Sequence, residues 1–219
     1  MEKNTETSKS KKGIRQEVGE ILTHPFEPLY DAESRILILG SFPSVKSREQ
    51  NFFYGHPQNR FWKVLANVFA DSGNASGRGA DTDAHTSAAT AFAETASAAP
   101  SNPVFVPQTI EEKRAFLLSH HVALWDVIYS CRIHGSSDAS IRDAVPTDLR
   151  RIIGNSKVDR VFVNGQTAFK LYQKYQQKLI SLPAAVLPST SPANAAWSVE
   201  RLTEAWKVIL QETYSGCFR

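Results

Sequence analysis

The chain has 219 residues, 42% of them hydrophobic, 10% aromatic and 21% charged, with a formal charge of +3. That length supports one α/β domain with a substantial core, or two very small domains. Two cysteines far apart, Cys131 and Cys217, argue against a disulfide framework and exclude a four-cysteine iron–sulfur cluster within one chain. No stretch is apolar for long enough to span a membrane, and the polar N-terminus has no signal-peptide core. An intracellular, soluble, cofactor-free protein is therefore expected. The mildly basic balance is compatible with a nucleic-acid partner without requiring one.

Residues 1–20 are polar and mixed in charge, with Lys9, Lys11 and Lys12 close together. They read as a disordered tail that aids solubility or adds nonspecific phosphate contacts. Arg35–Leu39 is a short apolar run ending at Gly40, as in a buried strand. Arg60–Ala70 sets Phe61, Trp62, Leu65, Val68 and Phe69 at helical spacing. Residues 71–103 are rich in Ala, Ser, Thr, Gly and Asp, a low-complexity insertion that cannot build a core. Neither flanking block looks self-sufficient, so residues 21–219 are expected to form one interrupted domain.

Beyond the insertion, Thr109 followed by Glu112 is a capping box opening a helix to about His121. Val122–Val127 is a second strand. Thr147 is placed to cap a short helix carrying Leu149, Ile152 and Ile153, which stops at Gly154 and Asn155. Arg160–Val163 is a third strand. Gln166–Ile180 is a helix with Phe169, Tyr172 and Leu179 inward, and Ala185–Leu187 is a fourth strand. Ser198–Thr213 closes the chain as a helix using Val199, Leu202, Trp206, Ile209 and Leu210. Strands alternating with helices imply an α/β fold, a three-layer α/β/α sandwich around a central, mainly parallel four-stranded sheet. Sites in such sheets lie beyond the carboxyl ends of the strands. That directs attention to the loops after Gly40, Asp126, Asn164 and Pro188.

At the first loop, Gly40-Ser41-Phe42-Pro43-Ser44, the small residues let main-chain N–H groups approach a ligand closely. The segment continues through Phe52-Phe53-Tyr54-Gly55 to His56-Pro57-Gln58-Asn59-Arg60-Phe61-Trp62. Phe61 and Trp62 read as core, whereas Tyr54 beside Gly55 is placed to stack on a base. Asn59 is either a helix cap or a functional amide. Asp126, at the end of the second strand, reads as a cap or turn residue; Asn164 before Gly165 favours the turn. His56 reads as structural or supporting. The turn Pro188-Ser189-Thr190-Ser191-Pro192-Ala193-Asn194 is stiff and rich in groups that contact phosphates, but on spacing alone it is an ordinary Ser/Pro turn. No cluster has metal-ligand spacing.

Gly40-Ser41-Phe42-Pro43-Ser44 followed by His56-Pro57-Gln58-Asn59-Arg60-Phe61-Trp62-Lys63-Val64 resembles the first motif of the mismatch-specific uracil-DNA glycosylases. It is still more similar to the hypoxanthine-DNA glycosylase branch of that superfamily. Leu187-Pro188-Ser189-Thr190-Ser191-Pro192-Ala193 resembles the second motif of the branch. His24-Pro25-Phe26-Glu27-Pro28-Leu29-Tyr30 and Leu124-Trp125-Asp126-Val127 are similar to it as well. The likeness covers about residues 24–70 and 104–213.

The resemblance implies hydrolysis of the bond between a base and deoxyribose in DNA by a monofunctional, monomeric enzyme acting on a deaminated base. The base must be held outside the stack, its developing negative charge stabilised, and a water placed below the sugar. The matching His-Pro-x-Asn gives Asn59 the role of orienting that water. Gly40, Ser41, Phe42, Pro43, Tyr54 and Asp126 would contact the base. Ser44, Ser189, Thr190, Ser191, Pro192 and Ala193 would contact DNA, with Pro192 and Ala193 filling the vacated stack. Two departures stand out. Many members carry Asn or Asp two residues after the motif glycine, where this chain has Phe42. Classical uracil enzymes carry a His in the second motif, where this chain has Ser189. A non-catalytic nucleic-acid or nucleotide-binding module and a free-nucleoside hydrolase remain alternatives.

Overall fold

The computed structural model describes residues 20–75 and 104–211. Its centre is a four-stranded sheet built from β2 (Ile36–Gly40), β3 (Val122–Asp126), β6 (Arg160–Asn164) and β7 (Ala184–Leu187). The order is β3-β2-β6-β7 and every pairing is parallel. All five residues of β2 and of β3 are buried. That burial on both faces explains why these strands read as continuous apolar runs.

Helices α1 (Val45–Gln50), α2 (Phe61–Ala75), α3 (Ile110–Ser119), α4 (Arg150–Gly154), α5 (Gln166–Tyr175), α6 (Gln177–Ile180) and α7 (Val199–Trp206) connect and flank the strands. Helix α3 packs on β3, α5 on β6 and β7, and α2 on α7. The expected capping box is present: the Thr109 side chain accepts from the Glu112 N–H, and the Glu112 carboxylate accepts from the Thr109 N–H, each at 3.1 Å.

Several local expectations are corrected. A three-stranded antiparallel sheet, β1 (Ile21–Thr23), β4 (Ile128–Arg132) and β5 (Arg142–Pro146) in the order β1-β4-β5, was not anticipated. The strand expected over Val122–Val127 ends at Asp126, because Val127 N–H turns to bond the Gly40 carbonyl. Helix α2 runs through Ala75 and so takes up the first residues of the low-complexity stretch; residues 76–103 lie outside the described residues. Thr147 does not cap α4. Its hydroxyl donates to the carbonyls of Asp126 and Val127, at 2.9 and 3.1 Å, while Asp148 Oδ1 accepts from the Arg150 N–H.

The helix expected over Gln166–Ile180 breaks at Gln176, whose side-chain amide is drawn inward to the Thr147 carbonyl at 2.7 Å. The break turns Leu179 outward, 59% exposed, against expectation. The last helix ends at Trp206 and continues as a 3-10 turn over Lys207–Leu210, with Thr213 outside the described residues. The basic N-terminal run and Cys217 also lie outside them. No described helix is long and apolar enough to cross a membrane.

Candidate active site

Parallel strands deliver their following turns to one edge of the sheet, and a cavity of about 330 Å³ opens there. Every residue expected at the site lines it except Thr190: Gly40, Ser41, Phe42, Pro43, Ser44, Tyr54, Asn59, Asp126, Ser189, Ser191, Pro192 and Ala193. Phe53, His56, Asn164, Ser136 and Asp138 line it as well.

Gly40 and Asp126 face each other as parallel register partners. A Cβ on Gly40 would stand 2.2 Å from Asp126 Oδ1 and 3.3 Å from the Tyr54 hydroxyl, so only glycine lets this carboxylate lie against the first turn. Asp126 is buried, and its Oδ2 meets His24 Nε2 at 2.9 Å. His24 Nδ1 meets the Phe26 carbonyl at 3.0 Å. A carbonyl only accepts, so Nδ1 carries a hydrogen. The Nε2–Oδ2 contact needs another, supplied by one partner or the other. Oδ1 is left as the carboxyl oxygen nearest the first turn. The His24 ring is held between Trp125, at 4.0 Å between ring centroids, and Phe26, at 4.5 Å. Thus a motif quoted only for its likeness contributes the partner of Asp126, across 102 positions of sequence.

Tyr54 adopts a left-handed backbone (φ 51°), which turns its ring flat against Phe61 at 3.8 Å. One ring face is therefore taken by the core. Its hydroxyl is buried without a hydrogen-bond partner. Burial first, and the Asp126 carboxylate second, push this phenol above its ordinary range, so it remains protonated. Phe42 is buried edge-on to His24, with the Arg48 guanidinium over its ring at 5.8 Å. Arg48 also donates to the carbonyls of Pro43 and Gly135, at 2.6 and 3.3 Å, and the Val45 N–H donates to Ser136 Oγ at 3.0 Å. These bonds fasten the first turn to the β4–β5 connection, which carries Asp138.

Asn59 opens α2. Its Oδ1 accepts from the Phe61 N–H at 3.0 Å, the cap geometry weighed from sequence, while the residue also lines the cavity. Its neighbour Arg60 joins the two motifs. Its guanidinium donates to the carbonyls of Ser191 (2.6 Å), Asn194 (3.0 Å), Thr190 (3.3 Å) and Trp197, and its own N–H donates to Thr190 O. A planar fork of five donors suits four converging carbonyls.

Thr190 does not offer its hydroxyl to a strand. It is fully buried, accepting from Asn164 Nδ2 at 2.9 Å, while its N–H donates to Asn164 Oδ1 at 3.0 Å. Asn164 therefore braces the second turn with both ends of its amide. Gly165, at φ 100°, lies close enough to Ser189 that a Cβ would approach Ser189 Cβ to 3.0 Å. Ser189, Ser191, Pro192 and Ala193 remain on the cavity side of this braced turn.

The sequence matches the profile of the uracil DNA glycosylase superfamily over residues 27–210. The chain belongs to this superfamily. A hypoxanthine DNA glycosylase from Methanosarcina acetivorans is 27% identical over 191 residues, covering 85% of this chain and 96% of that one. A hypoxanthine DNA glycosylase from Methanosarcina barkeri is 41% identical over 46 residues, 21% of this chain and 29% of that one. The solution NMR structure of a candidate uracil DNA glycosylase from Methanosarcina acetivorans superposes with a TM-score of 0.62 at 25% identity, covering 87% of this chain and 96% of that one. A DNA glycosylase that hydrolyses its substrate accounts for the cavity, a recess of mixed apolar and polar walls that holds the buried Asp126 carboxylate.

Proposed function

We propose that this chain is a monofunctional, monomeric glycosylase that removes a deaminated base, hypoxanthine foremost, from intracellular DNA in base-excision repair. The observation that carries this reading is an acceptor at the cavity floor, the Asp126 carboxylate steadied by buried His24. Hypoxanthine presents a hydrogen at N1, which a carboxylate accepts; adenine presents a lone pair there and would be repelled. Uracil presents an equivalent N–H, so it fits the same acceptor. The name carried by the relatives favours hypoxanthine between the two.

In this reading the nucleotide leaves the duplex and enters base first. Phe42 and the free side of Tyr54 flank the base, and main-chain N–H groups of the Gly40–Phe42 turn face its developing charge. Asn59 orients the water with the lone pair of Oδ1 not used by Phe61. Ser44, Ser189 and Ser191 contact the backbone, and Pro192 and Ala193 fill the gap in the stack. The capping bond of Asn59 and the apolar Phe42 favour a second reading, a binding module without chemistry. A panel of duplexes carrying one hypoxanthine, uracil or xanthine separates the two. Alkali cleavage should reveal abasic sites, most from hypoxanthine. Binding of a lesion duplex with no shortened strand from any lesion overturns the enzyme, and hydrolysis of free deoxyinosine instead would identify a nucleoside hydrolase.

A further inference from the structure

Asp138 was invisible in the sequence as a site residue, yet it lines the same cavity as Asn59 and Asp126. It opens a 3-10 turn, Asp138–Ser140, in the connection between β4 and β5. That connection is held against the first motif by Arg48 on Gly135 and by Val45 on Ser136. Ser41 lines the same cavity, and its hydroxyl favours the charged form of the Asp138 carboxyl. A carboxylate from a distant element is thereby brought to the cavity that Phe42 also lines.

The depth of the residues in the cavity separates their tasks. Asp126 is 5% exposed, and one carboxyl oxygen is already taken by His24. A base entering first meets that floor, and its sugar stops nearer the mouth. Asp138 is half-buried, and its neighbours Ser137 and Ala139 are exposed, so it stands nearer the mouth, as Asn59 does. Hydrolysis also leaves a proton to be placed. An amide such as Asn59 can orient a water but cannot take its proton. Resting on the glycosylase reading, we propose that Asp138 is the general base, accepting the proton of the water that Asn59 orients.

The balance is simple. The water oxygen bonds to C1′ of the deoxyribose as the bond from C1′ to the base breaks, and that electron pair leaves with the base. The water proton passes to Asp138 and then to the departing base or to solvent. The surroundings favour a carboxyl that accepts a proton. Burial lifts the Asp138 carboxyl above the usual carboxylate range, Asp126 adds to the lift, and the Ser41 hydroxyl opposes it. Tyr54 and the thiol of Cys131 feel its charge, each neutral because burial raises its own pKa. Arg48 acts electrostatically on Cys131, and His56 lines the cavity.

Asp138→Asn keeps the shape and removes the titrating carboxyl, so single-turnover cleavage of the best lesion duplex, with enzyme in excess, reads the chemistry alone. The expected result is a rate lower by about 100-fold or more with duplex affinity unchanged to within about threefold. The wild-type rate should rise with pH through one acid-side titration and then level, since the deprotonated carboxyl is the active form. Asp138→Asn should abolish that limb, and Ser41→Ala should move it to higher pH by removing the hydroxyl that favours the charged carboxylate. Unchanged rate and pH profile in Asp138→Asn overturns the proposal, as does a wild-type rate that falls as pH rises. A wild type that cleaves no lesion overturns the glycosylase reading instead, and this proposal with it.

Discussion

The bond from the Phe61 N–H to Asn59 Oδ1 gives that side chain a structural duty beside its proposed chemical one. Replacement by Ala would remove both at once and confuse them. Asn59→Ser separates them, since serine caps helices about as well as asparagine but has no amide. The expected outcome is a melting temperature close to wild type and cleavage reduced by about 100-fold. Cleavage at the wild-type rate would assign Asn59 to capping alone. His24 carries a second residue-level consequence. His24→Phe fits an aromatic nest but leaves Asp126 buried without its partner, which costs about 3 kcal/mol in urea unfolding. The double variant His24→Phe, Asp126→Leu should recover most of that stability and none of the cleavage. A single variant as stable as wild type would show that the pair carries no weight in the fold.

At the scale of elements, the two motifs recur together because Arg60 at the head of α2 holds the turn after β7 by its carbonyls. Arg60→Lys offers one point charge where four carbonyls converge, so about 2 kcal/mol of stability should be lost and duplex affinity should fall by about tenfold. Calorimetry and a binding titration check both, and unchanged affinity would free the turn from this clamp. None of this was legible in sequence, because carbonyl acceptors belong to every residue and leave no side-chain signature. The parallel strands were legible because burial on both faces makes apolar runs. Strands β4 and β5 were not. Residues such as Arg142 and Asp143 point to solvent, and it is pairing with neighbours, not a buried face, that makes β5 a strand. Asp138 lay hidden for a similar reason, since a lone Asp among Ser and Gly looks like any turn. The cavity was legible almost whole, because the rule that ligands gather at strand ends needs only the order of the elements.

The whole molecule is interleaved across the segment 76–103. Strand β2 comes from the first block, yet it lies between β3 and β6 from the second. Leu37, Ile38 and Leu39 are fully buried there, and each is worth about 2 kcal/mol on leaving water. Helix α2 packs on α7, Arg60 on the second turn, and His24 on Asp126, all across the same division. The cavity is divided in the same way, with Tyr54 and Asn59 on one side and Asp126, Asp138 and Ser191 on the other. Each block buries apolar surface against the other, so a protease site inserted between residues 76 and 103 tests whether they form one unit. After cutting, the two pieces should co-elute and keep most of the cleavage activity, because every contact named here is noncovalent and survives the nick. Diluting the nicked protein should then abolish activity where the intact chain keeps it, since association has become bimolecular. Expressed separately, neither piece should show cooperative unfolding, and mixing should restore cleavage. A fragment that melts cooperatively alone, or a nicked protein whose pieces part on a native column, would mean that the two blocks are separate domains.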